Sequence, residues 1–222
     1  MPAALRSFHH SAYSATRIAA ARCELGVSVS VCLPARECAG TVGAIVAALA
    51  DLKAQRAIDE LVVVDAASAD GTAEVAARAG AEVWQQDELA SELGPALGKG
   101  DAMWRALARL RGDIVCFLDA DTEGFSPHFA CGLIGPLVCE RDVWFVKGHY
   151  RRPIELGGSL HDDGGGRVNH LTARPALELF YPELAAVRQP LAGEVAARRE
   201  LLERIPFATG YGVEVAMLID AW

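Results

Sequence analysis

Short apolar runs recur through the first half of the chain and predict the strands of a sheet. They are rich in Val, Ile and Leu and show no strict alternation of polar and apolar positions, a pattern typical of strands buried on both faces of a parallel sheet. Most of these runs end at Pro, Asp or a cluster of turn-forming residues. The predicted strands are Val27–Leu33, Glu60–Val64, Ala81–Trp84 and Asp113–Leu118.

Apolar residues at helical spacing separate these runs. They predict helices over Thr41–Lys53, Thr72–Ala79 and Lys99–Leu110. An alternation of strands and helices predicts a doubly wound α/β fold, with helices on both faces of a mostly parallel sheet. Ligands bind beyond the carboxyl ends of the strands in such sheets, so we expect the residues that follow the first, second and fourth strands to meet at one site.

The pattern changes in the second half of the chain. Val143–Tyr150 predicts one more strand, and a glycine-rich loop follows it. Helical spacing then predicts three segments, which are Arg167–Phe180 with a kink near Pro175, Arg198–Ile205 and Val213–Trp222. The last segment ends without the Gly, Asn or basic residue that commonly ends a helix. We therefore expect the chain to be cut short after Trp222.

The composition argues against a membrane protein and against a general nucleic-acid binder. The hydrophobic fraction is 52%, but the longest apolar runs, such as Val42–Ala50, are far shorter than the roughly 20 residues that span a bilayer. The net charge of −8 disfavours nucleic-acid binding, which requires a basic face. The N-terminus lacks the features of a secretory signal. Six cysteines without a C-x-x-C pair favour reduced thiols in a cytoplasmic protein.

Asp119-Ala120-Asp121 is the sharpest chemical signal, because it directly follows a predicted strand. Transfer of a sugar from a nucleoside diphosphate requires neutralisation of charge on the departing diphosphate, and a divalent cation is the usual device. Mg²⁺ or Mn²⁺ takes carboxylate oxygens together with substrate phosphates and water. We predict that one of these carboxylates binds the metal, while the other holds the ribose or a metal-bound water. Two solvated surface aspartates are the alternative interpretation.

A glycine-flanked lysine at a predicted helix start is the second signal. Gly98-Lys99-Gly100 lets the backbone approach an anion, and a helix N-terminus favours negative charge. The segment is not a Walker A loop, because that frame is missing. We predict that Gly98 and Lys99 bind a donor phosphate, with a solvated lysine as the alternative. The strand ends supply the other predicted donor contacts, which are Pro34, Ala35, Arg36, Glu37, Asp65, Ala66 and Ser68.

A glycine run before a predicted helix is the third signal. Backbone N–H groups and a guanidinium at a helix start form an anion site, and its position in the second half suggests the acceptor. A flexible loop is the alternative. Glu194 and Glu214 are weaker candidates for orienting a sugar hydroxyl, since solvated glutamates near helix starts are common. The predicted acceptor contacts are Gly165, Gly166, Arg167, Val168 and Asn169.

Together these motifs resemble one glycosyltransferase family. The segments are V-D-A-A-S-A-D-G-T, G-K-G-D-A-M-W, F-L-D-A-D, Y-R-R-P, G-G-G-R-V, Q-P-L-A-G-E and P-F-A-T-G-Y-G-V-E. They are similar to segments of the glucosyl-3-phosphoglycerate and mannosyl-3-phosphoglycerate synthases, family 81 of the retaining glycosyltransferases. The resemblance runs from about Val27 to the end of the chain, and its later motifs are specific to this family.

The resemblance implies a GT-A fold and a metal-dependent transfer of a hexose to the 2-hydroxyl of 3-phosphoglycerate, with retention of the anomeric configuration. On that pattern Asp121 binds the metal, Asp119 and Ala120 contact the donor, and Tyr211 lies on the acceptor side near the transferred sugar. The candidate catalytic residues are Asp119, Asp121, Lys99 and Glu214. The resemblance also implies Mg²⁺ or Mn²⁺ as the cofactor, a homodimer, and a further C-terminal part that supplies a histidine metal ligand.

The resemblance also divides the chain by function. Residues 1–26 are an N-terminal extension, residues 27–141 form the half that binds the nucleotide sugar, and residues 142–222 form the acceptor-binding half. The expected partners are therefore a nucleotide sugar and 3-phosphoglycerate, with no nucleic acid and no membrane.

Two segments depart from the family pattern and leave the donor open. The family carries P-A-L-N-E-E and D-S-G-S where this chain has P-A-R-E-C-A and D-A-A-S. Both places contact the nucleotide base, so UDP-glucose and GDP-mannose remain alternatives. Two other function classes also remain: a sugar-phosphate nucleotidyltransferase, although its glycine-rich loop after the first strand is missing, and a non-catalytic GT-A-like partner domain.

Overall fold

A six-stranded sheet forms the centre of the molecule. The computed structural model describes residues 5–152, 154–156, 159–161 and 166–222. A short antiparallel hairpin, formed by the sixth and seventh strands, stands apart from the main sheet. The strands are β1 (Val29–Ala35), β2 (Glu60–Asp65), β3 (Glu82–Gln85), β4 (Ile114–Phe117), β5 (Phe145–Lys147), β6 (Ile154–Leu156), β7 (Ser159–His161) and β8 (Val195–Arg198).

Helices cover both faces of this sheet. One apolar cluster joins β1 and β2 to the second and fifth helices, and a second cluster joins the opposite face to the fourth and eighth. Within the described residues, no helix is long and apolar enough to cross a membrane. The helices are α1 (Ala15–Leu25), α2 (Val42–Ala54), α3 (Thr72–Ala79), α4 (Lys99–Arg109), α5 (His128–Cys139), α6 (Arg174–Phe180), α7 (Arg199–Leu202) and α8 (Val213–Ala221).

The strand order β3-β2-β1-β4-β8-β5 confirms the mostly parallel sheet that the alternation predicted. Strands β1 to β4 are mutually parallel, and β8 is antiparallel to both of its neighbours. The carboxyl ends of β1, β2 and β4 therefore lie at one edge of the sheet. This edge carries the residues on which the predicted site depends.

Pro34 lies inside β1, which ends at Ala35, two residues beyond the predicted end of the strand. Proline has no backbone N–H, so a central strand accepts it only where no ladder partner needs that donor. In β1 the even-numbered residues face β4, since Leu118 N donates to Cys32 O at 3.1 Å. The pairing of β1 with β4 ends at Cys32. Pro34 therefore faces a position that β4 no longer occupies, and the strand continues.

The prediction for the segment after residue 194 was only partly right. A helix over Arg198–Ile205 was expected, but Val195–Arg198 forms β8, and only Arg199–Leu202 is α-helical. Two alanines and an arginine favour a helix locally. Insertion between β4 and β5 satisfies the backbone of this short segment on both sides, and that tertiary pairing overrides the local preference.

The predicted kink near Pro175 takes the form of a π-helical stretch. Asn169–Ala173 winds as a π-helix, and α6 begins directly after it with Pro175 in its first turn. The first turn of a helix tolerates proline because its N–H needs no intrahelical acceptor. The wider winding therefore separates two helical segments without a break in the chain.

All six cysteines are free thiols, as the spacing favoured. Cys32 and Cys116 are buried in the central strands. Burial raises the pKa of both thiols well above its usual range, because the apolar interior disfavours a thiolate. They therefore serve as small apolar side chains of the core.

The N-terminal segment packs onto the fold. Tyr13 is only 5% exposed and Ile18 is 1% exposed, both in the core cluster that includes α5. Gly135 in α5 lies under the Tyr13 ring, where an added Cβ would stand 2.2 Å from Cγ. A side chain at position 135 would therefore occupy the space that the tyrosine fills.

We expect Gly135→Ala to lower the free energy of unfolding by about 1–3 kcal/mol, because the added methyl overpacks the contact with Tyr13. Thermal denaturation measures the effect. Gly40→Ala is the matched control, since Gly40 is exposed and an added Cβ there meets nothing within 4 Å. Equal melting temperatures for the two variants would contradict this account of the N-terminal packing.

Candidate active site

The segments that follow β1, β2 and β4 are joined to one another by hydrogen bonds. Glu37 N donates to Ser68 Oγ at 2.9 Å, and Ala69 N donates to Glu37 Oε1 at 2.8 Å. On the other side, Thr41 Oγ1 donates to Ala120 O at 2.7 Å. The structure thus confirms that the three strand ends meet at one site. Arg36 stands at the same edge with an exposed side chain.

Asp65 ends β2 with a carboxylate that is only 1% exposed. Its Oδ2 accepts a hydrogen bond from Ser68 N at 3.1 Å, while Oδ1 is buried and has no partner among the described residues. A buried acceptor without a donor costs about 1–3 kcal/mol. Ala66 N donates to Ala35 O at 2.9 Å, which fixes the backbone beside it. The free oxygen is therefore suited to an N–H or O–H group of a ligand.

Lys99 joins two carboxylates that come from distant parts of the chain. Its Nζ donates to Asp119 Oδ1 at 2.6 Å and to Glu214 Oε1 at 2.8 Å. Burial alone would lower the pKa of Lys99, but the charges and hydrogen bonds of the two carboxylates outweigh it and raise that pKa. The lysine is therefore fully charged at neutral pH and held in one position. Three of the four predicted catalytic residues are in direct contact.

Glycines allow the close approach of these groups. Gly193 lies against Asp119, where an added Cβ would stand 2.1 Å from Oδ1. Gly98, at φ +105°, precedes α4, and an added Cβ there would lie 3.2 Å from the Gly210 Cα. The glycine before Lys99 was predicted, whereas the role of Gly193 in the Q-P-L-A-G-E segment was missed.

The loop before Lys99 is held by a buried arginine on α4. Arg105 Nη1 donates to Leu89 O and Gly94 O, each at 2.9 Å, and Nε contacts Asp101 Oδ2 at 3.0 Å. The same Asp101 oxygen accepts from Leu97 N at 2.8 Å. The guanidinium thus satisfies loop carbonyls and fixes the entry to α4.

Asp121 differs from Asp119 in being exposed. Its carboxylate has no hydrogen-bond or ion-pair partner in the described part of the chain, and no three His, Cys, Asp or Glu residues there form a metal-binding group. One free carboxylate fits a hard divalent cation that takes its other ligands from phosphate oxygens and water. Asp121 is the residue that would hold such a cation.

Two further charged residues lie at the site, of which Lys147 was missed from the sequence and Glu194 was only a weak candidate. Lys147 ends β5, and its partly buried Nζ donates to Ala192 O at 2.5 Å. Glu194 is only 2% exposed, and its Oε2 has no partner among the described residues. Burial raises the pKa of Glu194, and the negative charge of Asp119 adds to the effect. The position of Glu194, directly after a glycine and before a buried strand, strengthens that weak signal.

The predicted acceptor segment is fixed on one side and exposed on the other. Asn169 is buried, and its Oδ1 accepts from Leu191 N at 3.0 Å. Arg167 and Val168 are exposed, and Gly166 adopts φ +76° beside Arg152, whose Cδ would lie 3.6 Å from an added Cβ. Gly165 lies outside the described residues.

Tyr211 lies in the short 3-10 turn directly before α8, and it is 97% exposed. Tyr211 and Glu214 differ in exposure. Glu214, in the first turn of α8, contacts Lys99, whereas the tyrosine ring lies in solvent. An aromatic ring in this position is free to contact a ligand that binds above the site.

We expect Gly193→Ala to break the ion pair between Lys99 and Asp119, because the added methyl occupies the position of the carboxylate. The pKa of Lys99 should then fall, which a ¹³Cε titration of labelled lysine measures. Gly212→Ala is the matched control, since its added Cβ meets only Ala208 Cβ at 3.8 Å. An unchanged Lys99 titration in Gly193→Ala would show that Gly193 does not confine the Asp119 carboxylate.

Comparison with known sequences identifies a glycosyltransferase domain in this chain. Residues 30–155 match the model of Glycosyl transferase family 2. The chain is 39% identical over 218 residues to the glucosyl-3-phosphoglycerate synthase of Petrotoga mobilis, an alignment that covers 97% of this chain and 67% of that protein. The chain therefore spans about two thirds of the length of such curated relatives.

Solved structures give the same result, and the resemblance predicted from the motifs is confirmed. Mannosyl-3-phosphoglycerate synthase from Rubrobacter xylanophilus superposes with a TM-score of 0.89 at 50% identity, over 97% of this chain and 68% of that one. Glucosyl-3-phosphoglycerate synthase from Mycobacterium tuberculosis, in complex with Mn²⁺, UDP-glucose and phosphoglyceric acid, superposes with a TM-score of 0.84 at 38% identity, over 99% and 73%. The chain belongs to the family of glucosyl-3-phosphoglycerate and mannosyl-3-phosphoglycerate synthases, within the broader group that the glycosyl transferase family 2 domain describes.

Proposed function

We propose that this protein transfers a hexose from a nucleoside diphosphate sugar to the 2-hydroxyl of 3-phosphoglycerate, with retention, to give mannosyl- or glucosyl-3-phosphoglycerate. The observation that carries the proposal is the contact of Lys99 with Asp119 and Glu214 at the ligand-binding edge of a GT-A sheet. The relative of known structure from Mycobacterium tuberculosis is a complex with UDP-glucose and phosphoglyceric acid, which supports both substrate classes.

The donor nucleotide would bind where β1 and β2 end. The buried, unpaired Oδ1 of Asp65 is an acceptor for an N–H of the base or a hydroxyl of the ribose. Ser68 and Glu37 fix the turn around it through the bonds described above. Pro34, Ala35, Arg36, Ala66, Gly98 and Ala120 would complete the donor contacts.

In the transfer, the bond between sugar C1 and the diphosphate oxygen breaks and a bond forms from C1 to the acceptor oxygen. The acceptor proton passes to the departing diphosphate. Lys99 would stabilise the negative charge that develops on the diphosphate, since a fixed ammonium needs no reorganisation during the reaction. Asp121 would hold a divalent cation, Mg²⁺ or Mn²⁺, which when bound neutralises diphosphate charge. Complexes of a relative with Mn²⁺ support the divalent cation.

The acceptor would bind at the start of the helical segment after the glycine-rich loop. Its two anionic groups require cations and N–H donors, and guanidinium groups recognise both phosphate and carboxylate. Arg167 is exposed there, and Gly166 and Val168 flank it. Asn169 would order the segment through its bond to Leu191 N. Gly165 and Tyr211 complete the proposed contacts.

The donor sugar, the assembly and the location are part of the same proposal. A mannosyl relative at 50% identity and a glucosyl relative at 38% support testing both GDP-mannose and UDP-glucose. The homodimer is proposed from the resemblance alone, and the free thiols support the proposed cytoplasmic location. We keep the division into an extension (1–26), a donor half (27–141) and an acceptor half (142–222) as a functional division, since β8 of the second half belongs to the same sheet.

Incubation of the protein with 3-phosphoglycerate, a divalent cation and either GDP-mannose or UDP-glucose tests the proposal. We expect release of GDP or UDP that depends on the acceptor, and a product with the mass of a hexosyl-phosphoglycerate. Proton NMR of the anomeric signal then measures retention. Hydrolysis without acceptor dependence, or no nucleotide release from either donor, would defeat the proposed function.

We expect Asp121→Asn to lower kcat by about 100-fold or more, because a neutral amide is a poor ligand for a hard cation. The variant should also bind Mn²⁺ more weakly in the presence of the nucleotide, which electron paramagnetic resonance measures without any turnover. Asp51→Asn, which changes an exposed carboxylate on α2, is the matched control. Near-normal turnover by Asp121→Asn would move the metal site elsewhere.

A further inference from the structure

Lys147 is a partly buried lysine inside the candidate site, and the proposed chemistry gives it no role. It ends β5, an edge strand of the sheet, and pairs with Val195 of β8. The chain has only three lysines, and the other two are Lys99 and the exposed Lys53. Burial of an ammonium is unfavourable unless partners compensate for the lost water. The contacts of Lys147 are therefore informative about its purpose.

Both hydrogen-bond partners of Lys147 are backbone carbonyls, and they belong to segments that line the candidate site. Nζ donates to Ala192 O at 2.5 Å and to Glu214 O at 3.3 Å. Ala192 precedes Gly193, which lies against Asp119, and Glu194, the buried carboxyl group. The Glu214 side chain contacts Lys99. One ammonium thus joins the turn before β8 to the first turn of α8.

The strand pairing reinforces this connection. Gly148 N, the residue after Lys147, donates to Glu194 O at 2.8 Å. An added Cβ at Gly148 would lie 3.0 Å from Glu194 Cβ, so the two backbones approach closely at this point. The end of β5 therefore fixes the turn through a strand-type bond and through the ammonium together.

We propose that Lys147 is a positioning residue. Its ammonium sets the distance between two parts of the site, which are the ion pair of Lys99 with Glu214 and the carboxyl groups of Asp119 and Glu194. The inference rests on the proposed hexosyl transfer. Without this ammonium, the Ala192 and Glu214 carbonyls each lose a hydrogen bond, and the turn at Gly193 is free to move away from α8. A shift of about 1 Å in such groups lowers a rate by about 100-fold, because the reacting atoms lose alignment.

The ionisation of Lys147 gives this role a pH dependence. Burial lowers the pKa of Lys147 to about 8, and the like charge of Lys99 adds to this effect. The negative charges of Glu214, Glu194 and Asp119 oppose it. These four residues are the charged groups that face it from α8, from the turn before β8, from the end of β4 and from α4. The ammonium therefore loses its proton, and with it the charge that balances the carboxylates, as the pH rises through about 8.

As the pH rises, the ionisation of Lys147 should change folding stability in the opposite direction to activity. The pKa is lowered in the folded state from a usual value near 10.5. Between about pH 8 and 10.5 the unfolded chain binds the additional proton, so this group makes the folded state more stable as the pH rises. A loss of activity in this range would therefore not reflect unfolding through Lys147.

The test compares Lys147→Met and Lys147→Arg with the unchanged protein and with the control Lys53→Met. We expect Lys147→Met to lower kcat by about 10- to 100-fold with a KM for the nucleotide sugar within about 3-fold. Lys147→Arg should recover part of kcat, because a guanidinium keeps its charge. The unchanged protein should lose kcat from pH 7.5 to 9.5, and Lys147→Arg should not.

Two results would overturn the inference. One is a kcat of Lys147→Met within 2-fold of the control, and the other is a pH profile that Lys147→Arg leaves unchanged. A ¹³Cε titration of the three lysines covers the case in which the variants fail to fold, since Lys147 should titrate near pH 8 and Lys53 should not. A normal lysine titration at position 147 would contradict the proposal. If the unchanged protein transfers no hexose with any donor, the proposed function fails, and the titration still decides the state of Lys147.

Discussion

The ion pairs of Lys99 with Asp119 and Glu214 are the interaction on which the site depends. The three residues belong to the start of α4, the end of β4 and the first turn of α8, so their contact requires all three elements to reach one point. Each charge is partly buried, and a lone charge in that position would be strongly unfavourable. The contact therefore both fixes the lysine and restricts how α8 docks on the sheet.

The insertion of β8 between β4 and β5 is the second constraint. It brings the Gly193–Glu194 turn against Asp119 and makes the second half of the chain part of the first half's sheet. A turn at this point carries a carboxylate into the interior, where burial raises its pKa. The absence of a side chain at Gly193 is what permits this approach. Both halves of the chain therefore contribute to the site, and their strands belong to one sheet.

The alternation of elements in the first half could be predicted because its signals are local. Buried parallel strands are continuous apolar runs, and α3 begins and ends at the predicted residues, Thr72 and Ala79, because a glycine stands on either side of it. β8 could not be predicted in the same way. Its four residues have no strand pattern of their own, and they become a strand because two neighbouring strands accept their hydrogen bonds.

The sequence by itself determined the fold class, the ligand-binding edge and the family, since motifs and strand ends are properties of consecutive residues. It also marked the Asp119–Asp121 segment and Lys99 as candidate site residues. The tertiary structure decided which charges meet. Only the folded chain pairs Lys99 with Glu214, 115 positions away, and places Lys147 on the carbonyls of Ala192 and Glu214. These contacts join residues that are remote in sequence, and their strength comes from burial that no local pattern encodes.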